Sequence, residues 1–455
     1  LDVLDYMVVN GEIVTPSWRG QANIGIKDGR VAVISSSDLE LEAADYYDAR
    51  GKLVIPALVD THVHLRDPGY SHKEDFYTGT SAAAAGGYGT VVAQPNTAPP
   101  AMDPASISSV IELGEARSVV DFAVSAQVAP GNINSLAQLK EAGALIFDVA
   151  TCDVPDVWLV LTGKDCWAIF TRAAELGVPV AVYATDASMV GAFTKALQDQ
   201  GRLDPLAWAE SRPPVTEAAE VARLSQIARG TGAKIMFRQI SSAASLDILR
   251  SVKASRPLSN ISVEVNPHHL FLIKEDLERL GPVGKMAPPI RDSGTVKALW
   301  EALCDGTVDM IGGDHAPHTW EEKMVGEKDI WQAASGVPTL ETALPLMLDA
   351  ASRGKITIEK IVGLMAEKPA RWLNIYPRKG TLAVGSDADL VIIDPDSSWE
   401  IRGKDLLSKC RWTPFEGFKV KGKVEGTMVR GQWVYERGNI VARPGYGQRV
   451  LCHEG

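Results

Sequence analysis

Two histidines two residues apart, His62 and His64, end the apolar run in "VIPALVDTHVHLRDPG", residues 54–69, with Arg66 two residues further on. On a β-strand that spacing points both imidazoles to the same side. Taken alone, an H-x-H is more often a pair of hydrogen-bonded polar residues at a strand end than a metal site. A second segment shifts the balance: "VDMIGGDHAPH", residues 308–318, ends another apolar run and supplies Asp314, then His315 and His318. If the two segments lie side by side, a carboxylate joins two imidazoles, and an N/N/O set of that kind suits Zn²⁺ or a related divalent ion.

Whether they lie side by side depends on the elements that carry them. From Leu53 onward short apolar runs alternate with segments of helical periodicity: "LVIPALVD", "GTVVAQPN", "DFAVSAQ", "AGALIFD", "PVAVYATD", "AKIMFRQISS", "ISVEVNP" and "VDMIGGDH". Their hydrophobicity is continuous rather than alternating, which marks strands buried on both faces of a parallel sheet. Intervening stretches such as "EAAEVARLSQIARG" and "TVKALWEAL" repeat apolar residues at helical spacing, and the first ends in a glycine stop. Strands alternating with helices in this way predict a (β/α)8 barrel, where the first and eighth strands are neighbours and chemistry gathers at the strands' C-terminal ends.

Both chain ends read differently. "YMVVNGEIVTP" carries Asn-Gly between two apolar segments, a hairpin signal. Hairpin texture returns past Arg378, in "GTLAVGSDADLVIIDP" and "VKGKVEGTMVRGQWVYERG". The predicted organisation is an α/β TIM barrel over residues 55–377 beside a small composite β-sandwich built from residues 1–54 and 378–455.

Composition narrows the function classes. At 455 residues, the chain has room for a barrel of ~250 residues and an accessory domain. Hydrophobic residues at 45% and charged residues at 23% are ordinary globular values and argue against disorder. A net charge of -11 leaves no basic excess to release counterions from a nucleic acid, so a small-molecule substrate is the better expectation. The opening "LDVLDYMVVNGEIV" has no signal-peptide pattern, and no run reaches the ~18 apolar residues of a membrane span, which points to the cytoplasm and no membrane partner. The five cysteines are odd in number and form no C-x-x-C, which fits a reducing compartment. Cys152 and Cys166 read as buried thiols rather than nucleophiles, since no histidine can be placed beside them. Trp158, Trp167 and Trp320 are candidates for an apolar pocket wall.

"DTHVHLRDP" and "GGDHAPHTWEEK" resemble the two signature motifs of dihydroorotases in the amidohydrolase superfamily. "QPNT", "EVNPHHL" and "APPIR" look like further pieces of that family, while "ASGVPTLETALPLML", "EKPARWLNIYPRKGTLAVGSDADLVIIDP" and "GTMVRGQWV" are similar to hydantoinases and allantoinases. The paired motifs specify the superfamily and not one substrate. The resemblance implies a (β/α)8 barrel with a composite β-sandwich, and metal-assisted hydrolysis of a cyclic amide. It makes His62 and His64 metal ligands and Asp314 a ligand that also serves as general base. A metal lowers the pKa of its bound water towards ~7 and polarises a carbonyl, while a carboxylate takes the water's proton. Arg66, Asn96 and His318 match positions that hold the substrate carboxylate in dihydroorotases, a task suited to the guanidinium fork of Arg66. The relatives commonly form dimers or tetramers, so a homo-oligomer is expected.

The pattern breaks at the second metal. Many family members carry a carboxylated lysine at the end of the fourth strand and histidines at the ends of the fifth and sixth. Here Tyr183 and Gln239 stand at the histidine positions. Aligning the fourth strand on "AGALIF" puts Asp148 at the lysine position, and aligning on "VATC" puts Ile146 there; the first needs no gap and makes Asp148 a candidate ligand. The eight histidines, His62, His64, His72, His268, His269, His315, His318 and His453, leave none for the fifth or sixth strand. His268 or His269 remains a weaker source of a ligand. The expected cofactor is one divalent ion per chain, zinc first and cobalt or manganese as alternatives, held by His62, His64, Asp314 and Asp148.

Two functions follow. The first is a mononuclear hydrolase that cleaves a cyclic amide or ureide C–N bond, or a related carbamate or thiocarbamate, with Tyr183 and Gln239 reshaping the vacated half of the pocket. The second is a catalytically inactive dihydroorotase-like homologue acting as a scaffold or partner subunit. The joint presence of His62, His64, Arg66, Asn96, Asp314 and His318 favours the hydrolase, because a scaffold has no need of them.

Overall fold

The computed structural model describes residues 3–36, 41–152, 158–255 and 260–452. The chain opens with β1 (Tyr6–Val14), β2 (Arg19–Lys27), β3 (Arg30–Ser35), β4 (Tyr46–Asp48) and β5 (Leu53–Pro56). Eight strands follow that alternate with helices: β6 (Leu58–Val63), β7 (Tyr88–Ala93), β8 (Asp121–Gln127), β9 (Ala144–Ala150), β10 (Val180–Tyr183), β11 (Ile235–Phe237), β12 (Ile261–Val265) and β13 (Met310–Ile311). The chain ends in β14 (Leu390–Glu400), β15 (Lys419–Val429), β16 (Gln432–Glu436) and β17 (Asn439–Ile440).

Each of β6 to β13 pairs in parallel with the next, in chain order. The seam between first and last is joined by a parallel bridge, Val63 to His315, with the His64 amide donating to His315 O at 2.8 Å. The apolar runs are unbroken because these strands are buried twice. Val59, Val92, Ala123, Ile146, Ala181, Met236 and Met310 form one interior cluster with Trp372 and Leu373. Val91, Phe122, Phe147, Val182, Phe237 and Val263 pack outward among the helices.

The buried Asp60 carboxylate stitches the seam, accepting from the Gly313 amide at 3.1 Å and the His62 amide at 2.9 Å. That closeness explains the double glycine before Asp314. A Cβ on Gly312 would strike the Glu264 carboxylate and one on Gly313 the Asp60 carboxylate, so only glycine admits both acids.

The remaining nine strands make one mixed sheet from both chain ends, ordered β17-β16-β15-β14-β5-β1-β2-β3, with β4 beside β1. It closes over a core of its own that includes Val8, Ile24, Val54, Leu390, Ile392 and Met428. The run "LVIPALVD" thus holds two strands, one in each sheet: β5 pairs antiparallel with β14 while β6 enters the barrel. Between sheet and barrel, the buried Lys379 ammonium lies 2.5 Å from Asp121, 2.9 Å from Asp387 and 2.7 Å from Asp389, and Arg430 also grips Asp121.

Two local expectations are corrected. Asn10-Gly11 is not a hairpin turn but an irregularity inside the continuous β1, whose pairing with β2 shifts between Val8 and Gly11. Asn10 adopts a φ of 60°, with its amide held by Asn23 Oδ1, and Gly11 is small because Val54 presses against it. The helix Pro214–Thr231 runs through Gly230 and ends two residues later at Gly232, whose φ of 72° makes the stop. Gly230 is there for packing, since a Cβ would meet the Trp167 ring. Among the described residues no helix is long and apolar enough to cross a membrane.

Candidate functional site

A cavity of about 580 Å³ opens at the C-terminal ends of the barrel strands, and His62, His64, Arg66, Asn96, Asp148, Asp314 and His318 all line it. His62 leaves β6 with its Nδ1 donating to Glu264 Oε1 at 3.0 Å. Glu264, fully buried on β12, is steadied in turn by the Thr61 hydroxyl at 2.9 Å. His64 donates through Nδ1 to Asn96 Oδ1 at 2.6 Å. With both Nδ1 atoms engaged, both Nε2 atoms turn to Asp314 Oδ1, at 3.3 Å from His62 and 3.2 Å from His64.

Among the described residues the ligand atoms of His62, His64 and Asp314 gather within 4.8 Å of one another. An acceptor on the far nitrogen fixes tautomer and orientation in metal-binding histidines, and both rings have one here. The donor set therefore fits a single divalent ion.

The electrostatics of the two rings differ. Burial, opposed by the Asp314 hydrogen bond and reinforced by Arg66, lowers His64 to about 4, so its imidazole is neutral as a ligand must be. Burial and Arg238 disfavour the charged form of His62, but the Asp314 and Glu264 carboxylates outweigh them and raise it. For Asp314, burial opposes ionisation, yet His62 and His64 prevail and hold the carboxyl well below the usual range. The other Asp314 oxygen accepts from Gln239 Nε2 at 2.5 Å. Arg66, Gln239 and Asp314 each have a positive φ, of 61°, 56° and 45°, a costly backbone state that persists where surrounding contacts impose it.

Across the floor the chemistry changes. Asp148 lines the cavity at the end of β9, whereas Ile146, two residues earlier, belongs to the apolar cluster below. Asp148 does not join the three-residue ligand group; its carboxylate is taken by the Arg238 guanidinium. Arg238 also reaches the Gln94 amide oxygen at 2.5 Å and Thr61 O at 2.9 Å. Tyr183, at the end of β10, is buried, and burial pushes its phenol up. As they stand these residues do not fit a second metal, because the one carboxylate among them is already paired with a cation.

Arg66 and His318 meet at the wall of the cavity, with Arg66 Nη2 3.2 Å from His318 Nε2 and Arg66 Nε donating to Pro317 O at 3.3 Å. Burial lowers His318 to about 3. Asn96 stands with them but spends its oxygen on His64. The tryptophans proposed for the pocket wall are elsewhere: Trp158, Trp167 and Trp320 are exposed and none lines the cavity. That part falls to Trp208 and Trp331, with the Arg212 guanidinium 3.4 Å over the Trp208 ring. His268 and His269 are buried outside the ligand group, His269 at 3.0 Å from Pro288 O, and Cys152 is buried beside Tyr183 and Val190. His453 lies outside the described residues.

Sequence reasoning passed over Glu264, Gln94, Arg238, Trp208 and Trp331. Glu264 and Arg238 did leave a signal, since each is a charged residue set in or directly after an apolar barrel run, "ISVEV" and "IMF".

Comparison with known proteins places this geometry. Residues 51–245 match the Dihydro-orotase-like family model and residues 286–434 the Amidohydrolase family model. The chain is 33% identical to the L-hydantoinase of Paenarthrobacter aurescens, with 98% of each chain covered. It is 37% identical to the dihydroorotase of Methanosarcina mazei, covering 98% of this chain and 97% of that one. Among solved structures, the L-hydantoinase (dihydropyrimidinase) from Arthrobacter aurescens superposes with a TM-score of 0.96 at 33% identity, over 99% of this chain and 100% of that one. The dihydropyrimidinase from Brevibacillus agri gives 0.91 at 28%, over 98% of each chain.

Proposed function

The chain belongs to the amidohydrolase family and is a metal-dependent hydrolase, and from that premise we propose that it opens a cyclic amide or ureide at its C–N bond, or cleaves a related carbamate or thiocarbamate, with one divalent ion per chain. The observation that carries this reading is the convergence of His62 Nε2, His64 Nε2 and Asp314 on one point, each histidine held from behind by its own acceptor. The ion, zinc first and cobalt or manganese as alternatives, would be held by those three residues and would supply the Lewis acidity that makes water nucleophilic near neutrality.

The remaining work falls to the chain's own groups. Asp314, ionised and steadied by Gln239 Nε2, accepts a proton from water. Glu264 and Asn96 keep the two imidazoles aimed. Arg66, with His318 beside it, grips an anionic group of the substrate and sets the ring against the wall. Trp208 and Trp331 cover the far side and exclude water there. We also propose that the chain acts as a homo-oligomer, dimer or tetramer, which light scattering tests directly.

The experiment is a hydrolysis screen of metal-loaded protein against dihydroorotate, dihydrouracil, hydantoin, substituted hydantoins and simple carbamates. The expected result is turnover of at least one class, lost in His62→Ala and Asp314→Ala while both variants unfold like the parent. Turnover that survives both substitutions contradicts the proposal.

A further inference from the structure

Beside the three-residue ligand group lies a second convergence of polar atoms that the proposed reaction leaves idle. Three oxygens from three strand ends meet on the Arg238 guanidinium: the Asp148 carboxylate and the Gln94 amide oxygen on Nη1, and the Thr61 carbonyl on Nη2. Two of the three cannot turn away. The Thr61 oxygen is backbone, and Gln94 is oriented by its own Nε2, which donates to Thr61 O at 3.2 Å and to Val92 O at 3.4 Å. Arg238 is 3% exposed, and its Nε is buried without a hydrogen-bond partner. The guanidinium is thus placed by the oxygens at its tip and not by satisfying the whole group.

A carboxylate, a side-chain amide oxygen and a peptide oxygen are the donors that hard divalent cations take. We propose that this is a cation cage whose resident occupant is Arg238: the guanidinium neutralises Asp148, fills the space among the three oxygens, and so limits the centre to one metal ion. The proposal rests on the reading that the first ion sits at His62, His64 and Asp314. With Arg238 in place, an incoming dication meets a fixed positive charge, and the carboxylate it needs is already compensated. Without Arg238, Asp148 is a half-buried acid with no counter-charge, facing two oriented oxygens, and it recruits a hard divalent ion such as Mn²⁺. The chain uses the same device elsewhere, where Lys379 fills the space among Asp121, Asp387 and Asp389.

The test is Mn²⁺ binding by the full-length parent, Arg238→Ala, Arg238→Met, Arg238→Lys and the double variant Arg238→Ala/Asp148→Asn, read by elemental analysis after dialysis and by electron paramagnetic resonance. Arg238→Ala and Arg238→Met are expected to hold one more ion per chain than the parent, with the spectrum of two coupled ions. Arg238→Lys and the double variant are expected to hold no more than the parent. An unchanged count in both folded single variants overturns the proposal, as does an extra ion that persists in the double variant. A parent that itself takes up two ions overturns it without any variant. The increment over the parent decides this proposal, whereas a parent that binds no ion refutes the metal centre at His62, His64 and Asp314, so the two failures are distinguishable.

Discussion

Among the described residues two places gather three residues of metal-ligand type, and they are built oppositely. His62, His64 and Asp314 converge with no ammonium or guanidinium among them, and their hydrogen-bond partners lie behind the rings, at Glu264 and Asn96. Asp121, Asp387 and Asp389 also gather within ligand distance, but the Lys379 ammonium stands in the middle of them, and Arg430 and Arg378 close the outside. On the proposed function one cluster awaits an ion from solution, and the other is already satisfied by the chain. Donor proximity alone does not distinguish a metal centre from a structural ion network; the position of the chain's own cations does. By that criterion Asp148, gripped by Arg238 beside the open cluster, belongs with the second kind although it lies in the cavity of the first.

The comparison can be broken most severely at Asp314. Asp314→Ala removes a ligand and the proton acceptor together and is expected to lower turnover by about 10⁴-fold with little change in unfolding midpoint, as measured by steady-state hydrolysis and thermal melts. Lys379→Met does the reverse. It takes the central cation from three buried carboxylates and is expected to cost about 3–5 kcal/mol of stability in chemical denaturation, while turnover by the folded protein stays that of the parent. Glu264→Gln sharpens the contrast, because it disturbs only what lies behind His62; metal affinity, measured by competition with a chelator, is expected to fall about 10- to 100-fold. The smallest effect concerns the cavity wall. Trp208→Ala is expected to raise KM by about 10-fold with kcat nearly unchanged, whereas Trp167→Ala and Trp320→Ala leave both constants alone.

The eight barrel strands were legible because burial on both faces writes an unbroken apolar run, and each of the eight runs holds one of the strands β6 to β13. The meeting of His62 with Asp314 was legible for the same reason, since closing such a sheet makes its first and last strands neighbours. Local signals were less reliable where packing overrode them. Asn10-Gly11 spells a turn but lies in an extended strand, because β1 is held on both sides by β2 and β5. Gly230 spells a helix stop but serves the approach of Trp167. Arg238 and Glu264 stood in plain view, yet their roles depend on partners far away in the chain, Asp148 for one and His62 for the other. The choice of Asp148 over Ile146 rested on the ungapped alignment alone, since both face the interior two residues apart and only their depth in the barrel separates them.

On the proposed function the cluster of His62, His64 and Asp314 is open to one ion while its neighbours are closed by the chain's own cations. Metal content per chain of the purified parent protein, set beside that of His62→Ala and Asp314→Ala, tests it most directly. The expected result is one tightly held divalent ion in the parent and none in either variant. Two ions in the parent, or an ion retained in both variants, would contradict it.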